Sequence, residues 1–197
     1  MSMSLDGFIA GANVGKEYPM GVNGEDLHTW IFSTPKDKVD ADVEREMFAK
    51  TGAVILGNRT FEVGVDLWGD VPFPVPSFVL THKERETLIK KSGTFTFVTD
   101  GVESALQQAQ AVAGGKDVRL MGADIAQQFL SAGLIDEIQI NHVPILLGEG
   151  VRLFDLGIKN IQLKKDRVLD SPHATHIHYR VLKNGSYPPP WFETYRE

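Results

Sequence analysis

The chain has 197 residues, and its 20 Lys and Arg against 26 Asp and Glu give a formal net charge of −6 at pH 7. This length suits one domain of roughly 100–200 residues, and the acidic balance excludes a duplex-binding surface, so we expect no nucleic-acid partner. The absence of cysteine excludes disulfides, thiolate metal sites and cysteine nucleophiles, and is typical of a reducing cytoplasm.

The first residues, "MSMSLDGFIA", form an alternating run that is typical of a strand. They lack the basic start and the longer apolar core of a signal peptide. No apolar run approaches the roughly 20 residues that span a bilayer. We therefore expect a cytoplasmic protein with no membrane association.

Strands and helices alternate through the next part of the chain. The segment "DADVEREMFAKTG" predicts a helix with Asp40 or Asp42 near its start and Gly52 after its end. Two further helices are predicted in "TDGVESALQQAQAVAGGKD" and in the apolar stripe before Gly133. Buried strands are predicted at the apolar runs 53–56, 78–80 and 95–98. Helical lengths between strands imply crossover connections, and therefore a mostly parallel sheet covered on both faces.

The last third of the chain differs. Two alternating runs, "IQLKKDRVLD" and "ATHIHYRVLK", flank Asp170-Ser171-Pro172 and predict an antiparallel pair. The expected fold is therefore an α/β three-layer sandwich with a mixed, mostly parallel central sheet. The three prolines of "YPPPWFETYRE" exclude regular structure, so 184–197 is expected to be an extended Pro/aromatic tail.

Three predicted strand ends carry groups that suit a nucleotide. Ligands of open α/β sheets bind beyond the carboxyl ends of the parallel strands. The candidate groups are Gly57-Asn58-Arg59-Thr60, Thr81-His82-Lys83 and Gly122-Ala123-Asp124. Arg59 offers a fork for phosphate, Thr60 can cap a helix, and the turn at Gly122 opens a helix toward a pyrophosphate. Together they predict a cradle for a phosphorylated nucleotide.

The type of nucleotide follows from what is missing. The chain contains no G-x-G-x-x-G after a strand and no P-loop pattern. An acidic residue that would select a bare ribose 2′-hydroxyl is also missing after the strand 78–80, where Thr81-His82-Lys83 stands instead. A 2′-phosphate would be better accommodated there than a bare ribose.

Five stretches resemble a known family in order: "SLDGFIA", "VILGNRTFE", "FVLTH", "LMGADIAQQFLSAGLIDEIQI" and "PILLGEGVRLF". They are similar to the dihydrofolate reductase-like superfamily, in the branch that contains the C-terminal reductase domain of the bacterial riboflavin biosynthesis protein RibD. The resemblance covers residues 1–183 as one domain. It implies NADPH-dependent hydride transfer to a pterin-like, aminopyrimidine or related small heterocyclic substrate. Relatives commonly form dimers, and the segment after the first strand closes over the ligand.

The resemblance also implies which residues meet the cofactor. Ala10 matches a backbone contact to the nicotinamide amide, and the three strand ends match the turns that meet the phosphates and the adenosine ribose. The cofactor residues so predicted are Ala10, Gly57, Asn58, Arg59, Thr60, Leu80, Thr81, His82, Gly122, Ala123, Asp124 and Ile125.

On the substrate side, Asp26 matches the carboxylate that grips the substrate and supports its protonation in dihydrofolate reductases, so it is the predicted catalytic residue. Helix capping by Asp26 is the alternative. Asp6, Glu25 and Trp30 are the predicted substrate contacts. For Asp6 the alternative is a bond to a backbone group or to Arg59, and for Trp30 it is packing. The Pro-Trp pair that precedes the carboxylate in dihydrofolate reductases is absent, so the substrate stays open.

Two other functions are compatible with these residues. A nucleotide-binding or sensing protein would keep the cradle and lose turnover, and a weak dihydrofolate reductase would act on dihydrofolate itself. His176 and His178 lie two apart with His173 near by, but no carboxylate or cysteine completes a metal set in the sequence pattern. We therefore expect a solvated strand face there and no metal. The paired runs before the tail predict a homodimer.

Overall fold

The structure, a computed structural model, describes residues 1–68, 74–154 and 160–183. The predicted tail, 184–197, lies outside the described residues. The first half contains β1 (Ser2–Ser4), β2 (Phe8–Ala10), a 3₁₀ helix (Gly24–His28), α1 (Thr29–Phe32), α2 (Lys38–Lys50), β3 (Thr51–Gly57), α3 (Asn58–Gly64), β4 (Ser77–Leu80), β5 (Leu88–Lys90) and β6 (Gly93–Val98). The second half contains α4 (Val102–Val112), β7 (Asp117–Met121), α5 (Ala123–Ser131), β8 (Glu137–Val143), β9 (Val151–Arg152), β10 (Leu163–Asp170) and β11 (Thr175–Val181).

The three predicted buried strands are β3, β4 and β6, and they lie in a five-stranded sheet with the order β5-β6-β4-β3-β7. All of its pairs are parallel except β5 with β6. Its central strand β3 is buried on both faces because α4 and α5 pack on one side and α3 on the other. This arrangement confirms the predicted α/β fold with helices on both faces of a mostly parallel sheet.

A second sheet has the order β1-β8-β11-β10, and β2 pairs with β9 in a separate two-stranded ribbon. β1 is parallel to β8, whereas β8, β11 and β10 are successively antiparallel. The predicted antiparallel pair before the tail is therefore confirmed. The 3₁₀ helix, α1 and α2 cover this sheet through Leu27, Trp30 and Val43, which pack against Val143.

The start of α2 agrees with the sequence prediction, since Asp40 lies in its first turn, whereas the start of α3 differs from it. Helix α2 begins at Lys38, and its cap is Asp37, whose carboxylate accepts from the Val39 N–H at 2.7 Å. Helix α3 begins at Asn58 directly after β3, so Thr60 lies inside the helix and does not cap it. At α3 the chain therefore enters the helix earlier than Thr60 indicated.

Asp40 and His176 form a buried polar network with Asn141. Asp40 Oδ1 lies 2.8 Å from His176 Nε2, and His176 Nδ1 lies 2.9 Å from Asn141 Oδ1. All three residues are buried, so the expected solvated face is wrong for His176. His173 and His178 remain partly exposed, and His178 lies beside Glu137. The network joins α2 to β8 and β11.

None of the helices in the described ranges has the length and apolar character that a bilayer crossing requires. Among the same residues, no three His, Asp or Glu side chains are grouped as metal ligands.

Candidate functional site

The three predicted strand ends are neighbours in the structure. Gly57 at the end of β3 pairs with Leu80 at the end of β4, and Leu56 pairs with Met121 at the end of β7. Adjacent strands lie about 4.8 Å apart. The turns that follow Leu80, Gly57 and Met121 therefore form one continuous edge, as the sequence predicted.

Glycines allow this edge to pack tightly. Gly122 has φ 95°, and a Cβ there would lie 2.9 Å from Thr60 Oγ1. A Cβ at Gly57 would lie 3.4 Å from the side chain of Ile125. Thus the turn after β7 and the start of α3 touch, and a larger residue at Gly122 would push them apart. The N-terminus of the nine-residue α5 opens at this turn.

The polar groups of the edge are largely unpaired. Asn58 Oδ1 is buried without a hydrogen-bond partner. Arg59, His82 and Lys83 are exposed, and within the described ranges no carboxylate lies within ion-pair distance of their side chains. Asp124, in the first turn of α5, is also exposed. The edge therefore offers a buried acceptor and three basic side chains to a ligand.

Ala10 lies in a second group, built by close contacts of backbone with backbone. A Cβ on Gly150 would come within 2.1 Å of the Ala10 oxygen, and a Cβ on Gly24 would come within 3.0 Å of the Gly11 nitrogen. The 3₁₀ helix and the turn before β9 are thereby pressed against the end of β2. Gln127 on α5 donates to the Leu153 oxygen at 3.1 Å, which links this group to α5.

The segment between β2 and the 3₁₀ helix is folded on itself. The Gly11 N–H donates to Met20 O at 2.9 Å, and the Val22 N–H donates to Ala12 O at 2.8 Å. At its tip Lys16 forms an exposed ion pair with Asp66, beyond α3. The resemblance implied that this segment covers the ligand, and in the structure it reaches from β2 to the C-terminal end of α3.

Asp26 is the third residue of the 3₁₀ helix. The N-cap is Asn23, which has φ 59°, and no side chain caps this helix. Capping by Asp26 is therefore contradicted. Asp26 and Glu25 are both exposed, and neither carboxylate has a hydrogen bond or ion pair in the described ranges. Two residues on, burial lowers the pKa of the His28 ring.

Asp6 binds backbone groups, which is one of the alternatives left open for it. Its carboxylate accepts from Ser4 Oγ at 2.6 Å, from the Leu147 N–H at 3.2 Å and from the Gly148 N–H at 2.7 Å. These bonds, the one from Ser4 first, lower its pKa to about 2. Arg152, and not Arg59, is its basic neighbour, since the Arg152 guanidinium donates to Asp6 O. Asp6 thus ties the turn after β1 to the loop before β9.

Trp30 is 1% exposed. Its Nε1–H donates to Ser2 Oγ at 2.9 Å, and its ring stands edge-on to His176 at 5.0 Å. This burial supports the packing alternative. The sequence did not predict that Trp30 contacts the network of Asp40, Asn141 and His176, because these residues lie far apart in the chain.

Comparisons with known proteins agree with this architecture. The family model described as the RibD C-terminal domain matches residues 1–177. An uncharacterized protein of Bacillus subtilis, YyaP, is 28% identical over 83% of this chain and 82% of its own length.

Solved structures share the fold at lower identity. A putative riboflavin biosynthesis protein from Shewanella sp. PV-4 has 23% identity, a TM-score of 0.72 and coverage of 92% of this chain and 96% of its own. A pyrimidine reductase-like protein from Corynebacterium diphtheriae has 13% identity and a TM-score of 0.59, with coverage of 92% and 90%. A diaminohydroxyphosphoribosylaminopyrimidine deaminase/5-amino-6-(5-phosphoribosylamino)uracil reductase from Thermotoga maritima has 16% identity, a TM-score of 0.61 and coverage of 91% of this chain but 54% of its own.

Proposed function

Because the chain belongs to the RibD C-terminal domain family, we propose that it is an NADPH-dependent reductase of a pterin-like, aminopyrimidine or related small heterocyclic substrate. The observation that carries this proposal is the shared edge of β4, β3 and β7. There a glycine-lined turn meets a buried acceptor and basic side chains that form no ion pair among the residues that the structure describes. The absence of cysteine supports a reducing cytoplasm as its compartment.

The residues of this edge fit a dinucleotide with an extra phosphate. The buried Asn58 Oδ1 needs a donor, which a ligand amide or hydroxyl supplies. Arg59 and His82 would bind phosphate oxygens, and the free N–H groups of α5 would face the pyrophosphate. Ala10 would hold the nicotinamide amide through its backbone.

When it is bound, the reduced nicotinamide supplies the hydride. The chain's own residues align the substrate and supply a proton. Asp26 would accept hydrogen bonds from ring N–H groups and would raise the supply of solvent protons at the acceptor nitrogen of the substrate. Alignment of this kind is worth about 7–11 kcal/mol of barrier in well-held systems. Glu25, next to Asp26 on the 3₁₀ helix, would offer a second carboxylate to the substrate.

The cofactor assignment has a direct test. NADPH should bind more tightly than NADH in a fluorescence titration, and Arg59→Ala should weaken NADPH binding by about 1.5–3 kcal/mol, the value of a hydrogen bond to a charged group. Arg45→Ala is the matched control, because Arg45 is an exposed arginine that pairs with Asp42 on α2. Equal affinities for NADPH and NADH would contradict the assignment.

The substrate class is tested by cofactor consumption with a panel of pterins, aminopyrimidines, quinonoid carbonyl compounds and dihydrofolate. Turnover of a pterin or an aminopyrimidine supports the proposal. Turnover of dihydrofolate alone would make the protein a weak dihydrofolate reductase. Tight NADPH binding without any turnover would favour a nucleotide-sensing protein.

We also propose that the protein is a C₂ homodimer. Val168 on β10 is 46% exposed and pairs with Ile177 on β11, while Leu163 pairs with Val181 near the other end of the hairpin. These residues give the β10–β11 hairpin an apolar strip at the edge of its sheet. A second copy would cover this strip.

A further inference from the structure

One ion pair attaches the loop 81–87, between β4 and β5, to helix α3. Nη2 of Arg85, in this loop, lies 2.5 Å from Oε1 of Glu62 on α3. The Arg85 guanidinium also lies over two aromatic rings, 6.0 Å from the centre of Phe61 and 5.5 Å from the centre of Phe97. Cations are attracted to ring faces at such distances. Arg85 is therefore held between α3 and β6 by three contacts.

Arg85 does not pair with the carboxylates next to it in the sequence. Glu84 and Glu86 are exposed, and neither forms an ion pair in the part of the chain that the structure describes. The partner is instead Glu62, on a different element. Because ion pairs between partly exposed side chains contribute little to stability, the more important property of this pair is its effect on the charges around it.

Glu62 lies one helical turn after Arg59 on α3. Residues three apart are neighbours on a helix surface, with Cβ atoms about 5–6 Å apart, and opposite charges at this spacing attract each other. Arg59 nevertheless forms no ion pair among the described residues, while Glu62 is engaged by Arg85. Arg85 thus occupies the carboxylate that is best placed to compete for the Arg59 guanidinium.

Arg85 also balances the charge of Glu62 beside the cofactor edge. That edge presents Arg59, His82 and Lys83, and the last two belong to the same loop as Arg85. Without Arg85, a negative charge would stand one turn from Arg59 and would repel an anionic ligand. Pairing with Arg59 and repulsion of the ligand both weaken phosphate binding, so the two effects act in the same direction.

We propose that Arg85 is a positioning residue of the cofactor edge: by holding Glu62, it keeps Arg59 free to bind a phosphate of the ligand. This role rests on the proposed function, which assigns a phosphate to Arg59. Arg85 acts through Glu62 and does not itself touch the ligand. Glu62 is then the residue that limits phosphate affinity whenever its partner is removed.

The test is a fluorescence titration of the full chain with NADPH at low ionic strength. Arg85→Met removes the charge and keeps an apolar side chain against the two rings. It should weaken NADPH binding about three- to tenfold, the size expected for one uncompensated charge near a phosphate. Glu62→Gln should bind NADPH at least as tightly as the unmodified chain, and the double variant Arg85→Met/Glu62→Gln should recover the affinity. Arg45→Met is the matched control, because Arg45 pairs with Asp42 on the exposed face of α2.

A purely structural role of the ion pair makes the opposite forecast. If the loop only needs its attachment to α3, Arg85→Met and Glu62→Gln should both weaken binding, and the double variant should not recover. That result would overturn the proposal, as would unchanged NADPH affinity in a folded Arg85→Met. Thermal melting checks the fold of each variant, and Arg85→Gln takes the place of Arg85→Met if the latter is unfolded.

Inorganic pyrophosphate, titrated by calorimetry, separates the role of Arg85 from the proposed reductase function. If the unmodified chain binds pyrophosphate but not NADPH, the cofactor assignment is wrong, and the role of Arg85 is supported when the pyrophosphate affinities of the variants follow the same order. If NADPH binds and its affinities do not follow this order, the role of Arg85 is wrong and the cofactor assignment stands. Binding of neither probe would overturn both.

Discussion

Asp26 presents an exposed carboxylate that no group in the described ranges engages, on a helix that it does not cap. Asp26→Asn should therefore leave folding and NADPH affinity unchanged. It should lower kcat/KM by about 10²–10⁴-fold, the usual contribution of a general acid–base group. Steady-state kinetics with a substrate from the panel would measure this loss, and activity should recover partly at low pH, where solvent protonates the substrate nitrogen.

Asp117→Asn is the control for Asp26→Asn, because it removes an exposed carboxylate at the start of β7, at the opposite end of that strand from the cofactor edge. Thermal melting must first show that both variants are folded. Unchanged kinetics for folded Asp26→Asn would remove Asp26 from the mechanism.

The contribution of the Asp6 carboxylate to the stability of the fold depends on pH. Its pKa is lowered from 3.8 to about 2 in the folded protein, chiefly by the bond from Ser4 Oγ. A carboxylate with a depressed pKa adds stability that is complete above the unfolded pKa and is lost as the pH falls through the folded pKa. Asp6→Asn should therefore lower the urea midpoint at pH 7, because an amide NH₂ group would face the Leu147 or Gly148 N–H.

The difference between Asp6→Asn and the unmodified chain should shrink as the pH falls from 4 to about 2. Glu149→Gln, in the same loop, is the control, because no hydrogen bond to the Glu149 side chain occurs in the described ranges. If the difference in urea midpoint stays constant down to pH 2, the charge of Asp6 contributes nothing to stability.

At the scale of elements, the sequence predicted the buried strands and most helices because their apolar periodicity is local. The roles of Asp40 and His176 could not be predicted in this way. Asp40 stands near a helix start, where carboxylates usually cap, but its partner lies 136 residues away. The orphaned Asn58 Oδ1 likewise depends on burial that only the packed structure shows. The roles of these residues depend on contacts with residues far away in the sequence, and not on local helix or strand propensity.

Gly122 tests how the turn after β7 shapes the cofactor edge. Alanine there would adopt φ 95° and place Cβ 2.9 Å from Thr60 Oγ1. The backbone at Gly122, with φ 95° and ψ 150°, lies in a region that is essentially restricted to glycine and costs another residue about 1–3 kcal/mol. The contact with Thr60 should also displace the start of α5. We expect Gly122→Ala to lower the melting temperature and to weaken NADPH binding.

Gly114→Ala is the matched control, since Gly114 has φ 62° but no atom within 4 Å of its Cβ position. It should lose stability through backbone strain alone and keep NADPH affinity. Equal effects of the two variants on NADPH binding would show that contact with Thr60 does not matter.

At the scale of the molecule, the resemblance and the alternation of elements predicted the α/β fold, whereas strand order was not readable. β1 pairs with β8, whose residues lie about 140 positions later in the chain. No local sequence pattern encodes this pairing. The division into two larger sheets and a ribbon follows from such pairings. The exposed edge of the second sheet, at β10, is the surface through which the proposed dimer would form.

The β10–β11 hairpin lies at the edge of its sheet and exposes Val168 and Leu163 by 46% and 39%. Exposed apolar strips at a sheet edge are sites of association, and two-fold dimers are the commonest closed assembly. Light scattering at micromolar concentration should give twice the 21.8 kDa mass of the chain.

Val168→Lys should shift the protein toward monomer, because it places a charge in the buried interface of both subunits. Lys164→Ala, on the same strand, is the control and should remain dimeric. A monomeric mass for the unmodified chain would exclude the dimer, and an unchanged mass for a folded Val168→Lys would place the interface elsewhere.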